Sequence, residues 1–340
     1  MNISKLNSLG WSSFFYDQLT PIEIAATNKS IFLFRIIAIH RSRVVAVGEA
    51  GEVSIIALEE FQPISQFIAV GDWVIGEAAY EHYRVVRLLK SKNRVERLSK
   101  GSMQLIAANL DFLWIVTSAN DEFNIKRLQR YLAMSHKFNI EPVIILTKLD
   151  LCKNPSVYLE QIDKLNVKRV HCISKPDLKS YEQLDQYYVS GNSIALVGSS
   201  GVGKSTIINV ISNSNLPTKN IRESDDKGQH TTTHRELFYC RNNVAIIDTP
   251  GMRELHLVDA EVAVKKTFDD INTLISQCKF NDCSHSSEPG CAINKALKSG
   301  VITEKYYANY LKIMREDSFY KHQKTGSRAE KKIYRNIVKR

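Results

Sequence analysis

Gly198-Ser199-Ser200-Gly201-Val202-Gly203-Lys204-Ser205-Thr206 follows the apolar run Ser193–Val197 and leads into a helix-like stretch, Ser205–Ile211. It fits G-x-x-x-x-G-K-[ST] in the strand-then-helix context that gives the pattern its meaning. Glycines let the backbone wrap a phosphate with its N–H groups turned inward, and a helix N-terminus adds positive partial charge. Lys204 is expected to reach the β- and γ-phosphates, and the Ser205 hydroxyl to ligate Mg²⁺. The plain alternative is a glycine-rich turn with an incidental lysine.

The neighbouring apolar runs Phe112–Val116, Pro142–Leu146 and Val244–Ile247 read, with Ser193–Val197, as parallel strands buried on both faces. Helix-like sequence such as Ile125–Phe138 lies between them, which implies an α/β sheet with ligands at the carboxyl ends of its strands. Thr147-Lys148-Leu149-Asp150 follows Pro142–Leu146 and resembles the [NT]-K-x-D guanine motif. Asp150 can accept from both N1–H and the 2-amino group of guanine, whereas adenine would leave it unpaired, at a cost of about 1–3 kcal/mol. Lys148 can pack along the base. Thr147 stands where Asn is usual, so that contact is weaker or different. Ser174, in Cys172-Ile173-Ser174-Lys175, is placed to support the base through its backbone.

Asp248-Thr249-Pro250-Gly251 follows Val244–Ile247 and matches D-x-x-G. Asp248 is expected to hold Mg²⁺ through a water, and the Gly251 N–H to meet the γ-phosphate. Upstream, Gly228-Gln229-His230-Thr231-Thr232-Thr233 offers a threonine for Mg²⁺ and the γ-phosphate. Thr232 is the choice, with Thr231 and Thr233 open. The base loop precedes the phosphate loop, which precedes D-x-x-G; ordinary GTPases begin with the phosphate loop. The order is circularly permuted, and a parallel sheet tolerates this because it can be cut and rejoined at surface connections. The chain leaving Gly251 then runs toward a Cys/His zone, which could read out the γ-phosphate.

The chain has 340 residues, 44% hydrophobic and 24% charged, which excludes a wholly disordered, collagen-like or disulfide-dense class. Its length suggests two or three domains at roughly 100–200 residues each. No long uncharged apolar stretch or signal peptide is evident, so a cytoplasmic protein off the membrane is expected. A monomer is expected. Lys and Arg total 46 against 36 Asp and Glu, a net charge of +10 that suits a polyanionic partner. Cys278, Cys283, His285 and Cys291 form a Cys₃His set, the expected structural zinc site, closed to water. Three zones follow. Residues 1–100 hold an N-terminal arm (Leu9–Tyr16) and short strands Ile31–Ile37, Arg43–Val47, Val53–Ala57, Asp72–Ile75 and Tyr83–Leu89, a small barrel or sandwich. Residues 101–271 hold the nucleotide motifs. Residues 272–340 hold the zinc site and a basic helical tail.

These motifs, with Ala69-Val70-Gly71-Asp72-Trp73-Val74 and the C-terminal Cys/His spacing, resemble the ribosome small subunit-dependent GTPase A family (RsgA, also called YjeQ) over nearly the whole chain. The resemblance implies a multidomain α+β protein: an N-terminal OB-fold β-barrel, a circularly permuted P-loop α/β GTPase domain and a C-terminal zinc-binding helical domain. It implies binding to the small ribosomal subunit and its rRNA late in assembly, with GTP hydrolysis to GDP stimulated by the subunit.

Met252 stands where many GTPases place a glutamine that orients the attacking water. His230 is the best replacement, a role the resemblance also implies; a surface histidine or RNA contact is the alternative. Arg41, Arg43, Lys90, Lys92, Arg94 and Arg97 are candidate RNA contacts on the barrel, and Lys321, Lys324, Arg328, Lys331, Lys332, Arg335, Lys339 and Arg340 on the tail. Two other functions stay open: an rRNA-binding assembly protein gated by nucleotide with negligible turnover, and an ATP-hydrolysing P-loop enzyme, against which Asp150 argues.

Overall fold

The computed structural model describes residues 2–40, 44–56, 64–80, 82–99, 102–212, 235–248 and 257–323. The chain forms two compact units. The described residues of the first lie within 1–123 and 140–255; those of the second lie within 124–139 and 256–324.

In the first unit, strands β1 (Ile31–Ile39), β2 (Val44–Gly48), β3 (Gly51–Ile56), β4 (Trp73–Ala79) and β5 (His82–Leu88) run β1-β2-β3-β5-β4 and close through β1–β4. β3 and β5 pair in parallel and the other barrel pairs are antiparallel. This is the OB-type barrel. Alternation along β1 divides its faces. Phe34 occupies space that two glycines leave open: a Cβ on Gly48 or Gly76 would lie 2.8 or 3.1 Å from its ring. Ile31 and Leu33 instead join Leu6, Trp11, Phe15, Leu19, Trp73, Ile75 and Leu89 in a second core, where the N-terminal arm covers the barrel. Trp11 meets Trp73 edge-on at 4.9 Å.

The second half of the sheet comprises β8 (Phe112–Ser118), β9 (Glu141–Thr147), β10 (Val170–Cys172), β11 (Ser193–Val197), β12 (Arg235–Tyr239) and β13 (Ala245–Asp248), in the order β10-β9-β8-β11-β13-β12. The pairs from β10 to β13 are parallel, and β12 is antiparallel to β13. Val143, Ile144, Ile145 and Leu146 are all fully buried, as a run apolar on both faces requires. β12 and β10 carry too little apolar sequence to be read as strands unaided. β6 (Arg94–Ser99) and β7 (Ser102–Ala108) form a separate hairpin.

β1 also pairs with β12, so barrel and nucleotide sheet are continuous. Buried Arg35 reinforces this seam: its guanidinium donates to Leu9 O of the arm and to Ser193 Oγ at the start of β11, each at 2.6 Å. Tyr239 of β12 donates to the same Leu9 carbonyl at 3.2 Å.

The second unit is helical. Helix Ile125–Phe138 is capped by Asn124 at its start and by left-handed Asn139 at its end. It packs with helix Glu261–Thr267 and with the long helix Glu304–Gln323 through Arg130–Glu316, paired at 2.6 and 2.5 Å, and a 2.6 Å Asn309–Gln129 hydrogen bond. Asp317 caps the shorter helix by accepting from Ala260 N at 2.7 Å. No helix among the described residues is long and apolar enough to cross a membrane.

Replacing Arg35 with alanine leaves a cavity and removes two hydrogen bonds at the seam. A loss of about 3 kcal/mol in unfolding free energy is expected, with a change in tryptophan emission from Trp11 and Trp73. Urea titration followed by fluorescence measures both; an unchanged midpoint would show that the seam does not depend on this cation.

Candidate functional site

The parallel register brings three chain segments to one edge of the sheet. β11 ends at Val197, β8 at Ser118 and β9 at Thr147, and the chain leaves each strand there as a loop. The phosphate loop leaves β11 at Gly198, whose φ is 150° and whose Cβ, if present, would lie 2.3 Å from Val116 O. Only glycine permits that approach. Gly201 and Gly203 also take positive φ, 73° and 105°. Ser199, Ser200 and Val202 complete the loop, with Val202 buried and Ser200 exposed. Helix Lys204–Ile211 begins directly after Gly203, with Ser205 exposed and Thr206 half-buried in its first turn. The Lys204 ammonium lies across the loop, donating to Gly198 O at 2.9 Å and Ser199 O at 2.5 Å.

Beside it, the β9 loop turns sharply. Lys148 adopts φ 60° and starts the short turn Leu149–Leu151, which leaves Asp150 exposed. Ser174, just past β10, donates from Oγ to Asp150 Oδ1 at 3.0 Å. Its own N–H is taken by Ser180 Oγ at 3.0 Å, so the side chain, not the backbone, faces Asp150. Burial, with the Asp150 carboxylate adding to it, pushes the Tyr181 phenol above its usual range. Thr147 is buried, with its hydroxyl 2.6 Å from Val202 O and 3.1 Å from Thr117 O. The base-loop and phosphate-loop residues named from sequence therefore come together.

Asp248 ends β13, with its backbone opposite Glu236 of β12. The Asp248 side chain lies outside the described residues, as do Thr249 to Met252, His230 and Thr231 to Thr233. Among the barrel cations, Arg94 is not a free surface group. It pairs with fully buried Asp72 and also takes Ser91 Oγ at 3.1 Å. Asp72 is the partner because it is locked in place by Ala69 N at 2.8 Å and Ser91 Oγ at 2.6 Å. Lys92 sits 3.6 Å from Asp111, and the Arg97 Nε is buried. Lys90 is exposed. Arg41, Arg43 and the tail from Lys324 lie outside the described residues, and Lys321 is described only as helix backbone.

In the second unit, the donor atoms of Cys278, Cys283, His285 and Cys291 all lie within 4.8 Å of one another. His285 Nδ1 is 3.5 Å from Cys278 Sγ and 3.6 Å from Cys291 Sγ. Ligands on a tetrahedral zinc ion stand about 3.5–3.8 Å apart, so the set fits a metal of that size and preference. Burial raises the Cys278 thiol, but hydrogen bonds from the backbone at Ala292 and Ile293, together with those to Cys283 and Cys291, hold the group below its ordinary value. Cys291 caps helix Ala292–Lys298, its sulfur accepting from Asn294 N at 3.4 Å. Sequence reading missed Glu288. Its carboxylate accepts from the N–H groups of Ser284, Ser286 and Ser287 at 2.9, 3.0 and 3.2 Å and so fixes the loop between two ligands. The run Ser284-His285-Ser286-Ser287 ahead of a glutamate was the available signal.

The RsgA GTPase family model matches residues 88–258. The small ribosomal subunit biogenesis GTPase RsgA 2 of Vibrio parahaemolyticus is 38% identical over 339 residues, covering 98% of this chain and 92% of its own. The small ribosomal subunit biogenesis GTPase RsgA of Mesorhizobium japonicum is 38% identical over 333 residues, covering 96% and 94%. Among solved structures, YjeQ from Thermotoga maritima superposes with a TM-score of 0.62 at 24% identity, covering 88% of this chain and 100% of that one. YloQ, described as a circularly permuted GTPase, gives 0.61 at 24% identity, covering 86% and 96%. At this level of identity the two likenesses bear on the fold, which in this chain is a five-stranded barrel joined to a permuted GTPase sheet. Together with relatives aligned almost end to end, this means that the chain belongs to the RsgA GTPase family.

Proposed function

We propose that this GTPase acts on the small ribosomal subunit late in its assembly, and that contact with the subunit stimulates its hydrolysis of GTP. The observation that carries the guanine assignment is the 3.0 Å contact of Ser174 with Asp150, beside a phosphate loop of the right form. Asp150 accepts from N1–H and the 2-amino group, and Ser174 holds that carboxylate in place. Lys148 lies along the base. The N–H groups of Gly198 to Thr206 and the Lys204 ammonium receive the phosphates. Ser205 and Thr232 would hold Mg²⁺, with Asp248 acting through a water and Gly251 at the γ-phosphate. Bound with GTP, Mg²⁺ neutralises charge on the β- and γ-phosphates.

His230 orients the attacking water in this reading, because Met252 cannot. A catalytic group that acts only once the subunit is bound gives slow intrinsic turnover and strong activation. Zinc is the metal that suits the Cys₃His set: no ligand position remains for water, and the second unit gains folding energy from the ion. The barrel zone, 1–100, and the basic end of the 272–340 zone supply rRNA contacts, flanking a GTPase zone at 101–271. The protein works in the cytoplasm as a monomer. The relatives named as small ribosomal subunit biogenesis GTPases support the partner, and the net charge of +10 suits RNA. Met252 also favours one competing reading, an rRNA-binding assembly protein whose nucleotide gates it without turnover.

Phosphate release from GTP, measured with and without purified small subunits, separates these readings. Strong stimulation by small but not large subunits is expected, with a drop of about a hundredfold in the stimulated rate for His230→Ala. Binding of GTP without stimulation would support the gated reading. Normal stimulated hydrolysis by His230→Ala would remove that histidine from the mechanism.

Metal analysis of the purified chain is expected to find one zinc ion. Chelation should make the segment around residues 278–298 sensitive to protease while guanine nucleotide binding persists. A metal-free protein with that segment fully protected would contradict a structural zinc site.

A further inference from the structure

We infer that Thr147 is a latch between the base loop and the phosphate loop, and that its hydroxyl reads no edge of the base. This inference rests on the nucleotide reading given above. Thr147 closes β9 with its backbone engaged, its carbonyl accepting from Ala119 N at 2.9 Å. Its hydroxyl sits between two backbone carbonyls, 2.6 Å from Val202 O and 3.1 Å from Thr117 O. A hydroxyl has one proton to donate. Both neighbours are acceptors, so that proton is committed within the protein. The major-groove edge of guanine offers N7 and O6, which are acceptors too, so the hydroxyl has nothing left to give them. An asparagine has two donors and an acceptor and could serve both loop and base; threonine serves the loop alone.

The contact matters because of where Val202 stands. Val202 is 1% exposed and directly precedes Gly203 and Lys204. The peptide is planar and trans, so pinning the Val202 carbonyl toward Thr147 turns the Gly203 N–H the opposite way. Gly203 packs flush against the latch: a Cβ there would lie 3.6 Å from both Cγ2 and Oγ1 of Thr147. Thr147 is therefore a positioning residue for the phosphate loop, while base choice rests on Asp150 and Ser174.

The test uses the full chain and four forms: wild type, Thr147→Val, Thr147→Ser and Thr147→Ala. Dissociation of mant-GDP is followed by stopped flow, and GTP competes for the site with 7-deaza-GTP, which lacks N7, and with 6-thio-GTP, whose sulfur is a poor acceptor at the O6 position. Valine is nearly isosteric but leaves Val202 O unpaired. About tenfold faster dissociation is expected for Thr147→Val and Thr147→Ala, near-wild-type dissociation for Thr147→Ser, and the same preference for GTP over each analogue in all four. Two results would overturn the latch: wild-type dissociation from both the valine and alanine forms, or a serine form as fast as valine. A changed preference for GTP over either analogue in Thr147→Val would show that the hydroxyl does read the base. If wild type retains mant-ATP and rejects mant-GDP, the guanine reading fails on its own, and mant-ATP dissociation then tests the latch, which is independent of the base.

Discussion

The nucleotide edge depends on the parallel pairing of β11 with β8 and of β8 with β9. In register, Val197 lies opposite Ile115, and Ser118 opposite Thr147, so the loops that follow emerge side by side. A slip of one residue would move every side chain of these strands to the opposite face of the sheet. The burial of Trp114, Val143, Ile145, Ile194 and Leu196 in one core makes that slip costly. The apolar core is thus what holds the polar loops in place.

This constraint also explains why a permuted chain order does no harm. The site needs the carboxyl ends of certain strands to be neighbours, and sheet order supplies this whatever order the chain visits them. Permutation instead alters what is attached to the site. The strand that ends at Asp248 is followed, through 249–256, by the start of the helical unit. The helix Ile125–Phe138, which lies in sequence between β8 and β9, belongs to that same helical unit. The unit that carries the Cys₃His set is therefore joined by chain both to the end of β13 and to the strand that leads to the base loop. At the other end of the chain, the barrel is tied to the sheet by β1–β12 pairing and by Arg35.

Much of this was legible in the sequence because it follows from local patterns. The strand Ser193–Val197 and the helix Ile125–Phe138 appear at the limits that apolar runs and periodicity suggest. The phosphate loop, the Asp150 loop and the Cys₃His spacing are short motifs whose chemistry is carried by residue type. What was not legible depends on partners far apart in the chain. Arg94 looked like a surface cation until its pairing with Asp72 was seen, and Lys92 likewise until Asp111 was seen beside it. Arg35 gave no sign of bridging to Ser193, which lies 158 residues away. β12 was missed because Arg235-Glu236-Leu237-Phe238-Tyr239 is half polar and its pairing comes from β1 and β13 on either side. Thr147 looked like a weakened asparagine, and only the position of the Val202 carbonyl reveals what its hydroxyl does.

Guanine recognition in the proposed site rests on Asp150. The most direct measurement is the affinity of Asp150→Asn for GTP and for xanthosine triphosphate. An asparagine amide offers a donor where the carboxylate offered an acceptor, which suits the 2-oxo group of xanthine and not the 2-amino group of guanine. The account predicts GTP binding weakened by about tenfold or more and xanthosine triphosphate binding gained. An unchanged preference for GTP would mean that the base is read elsewhere, and would contradict the site built here.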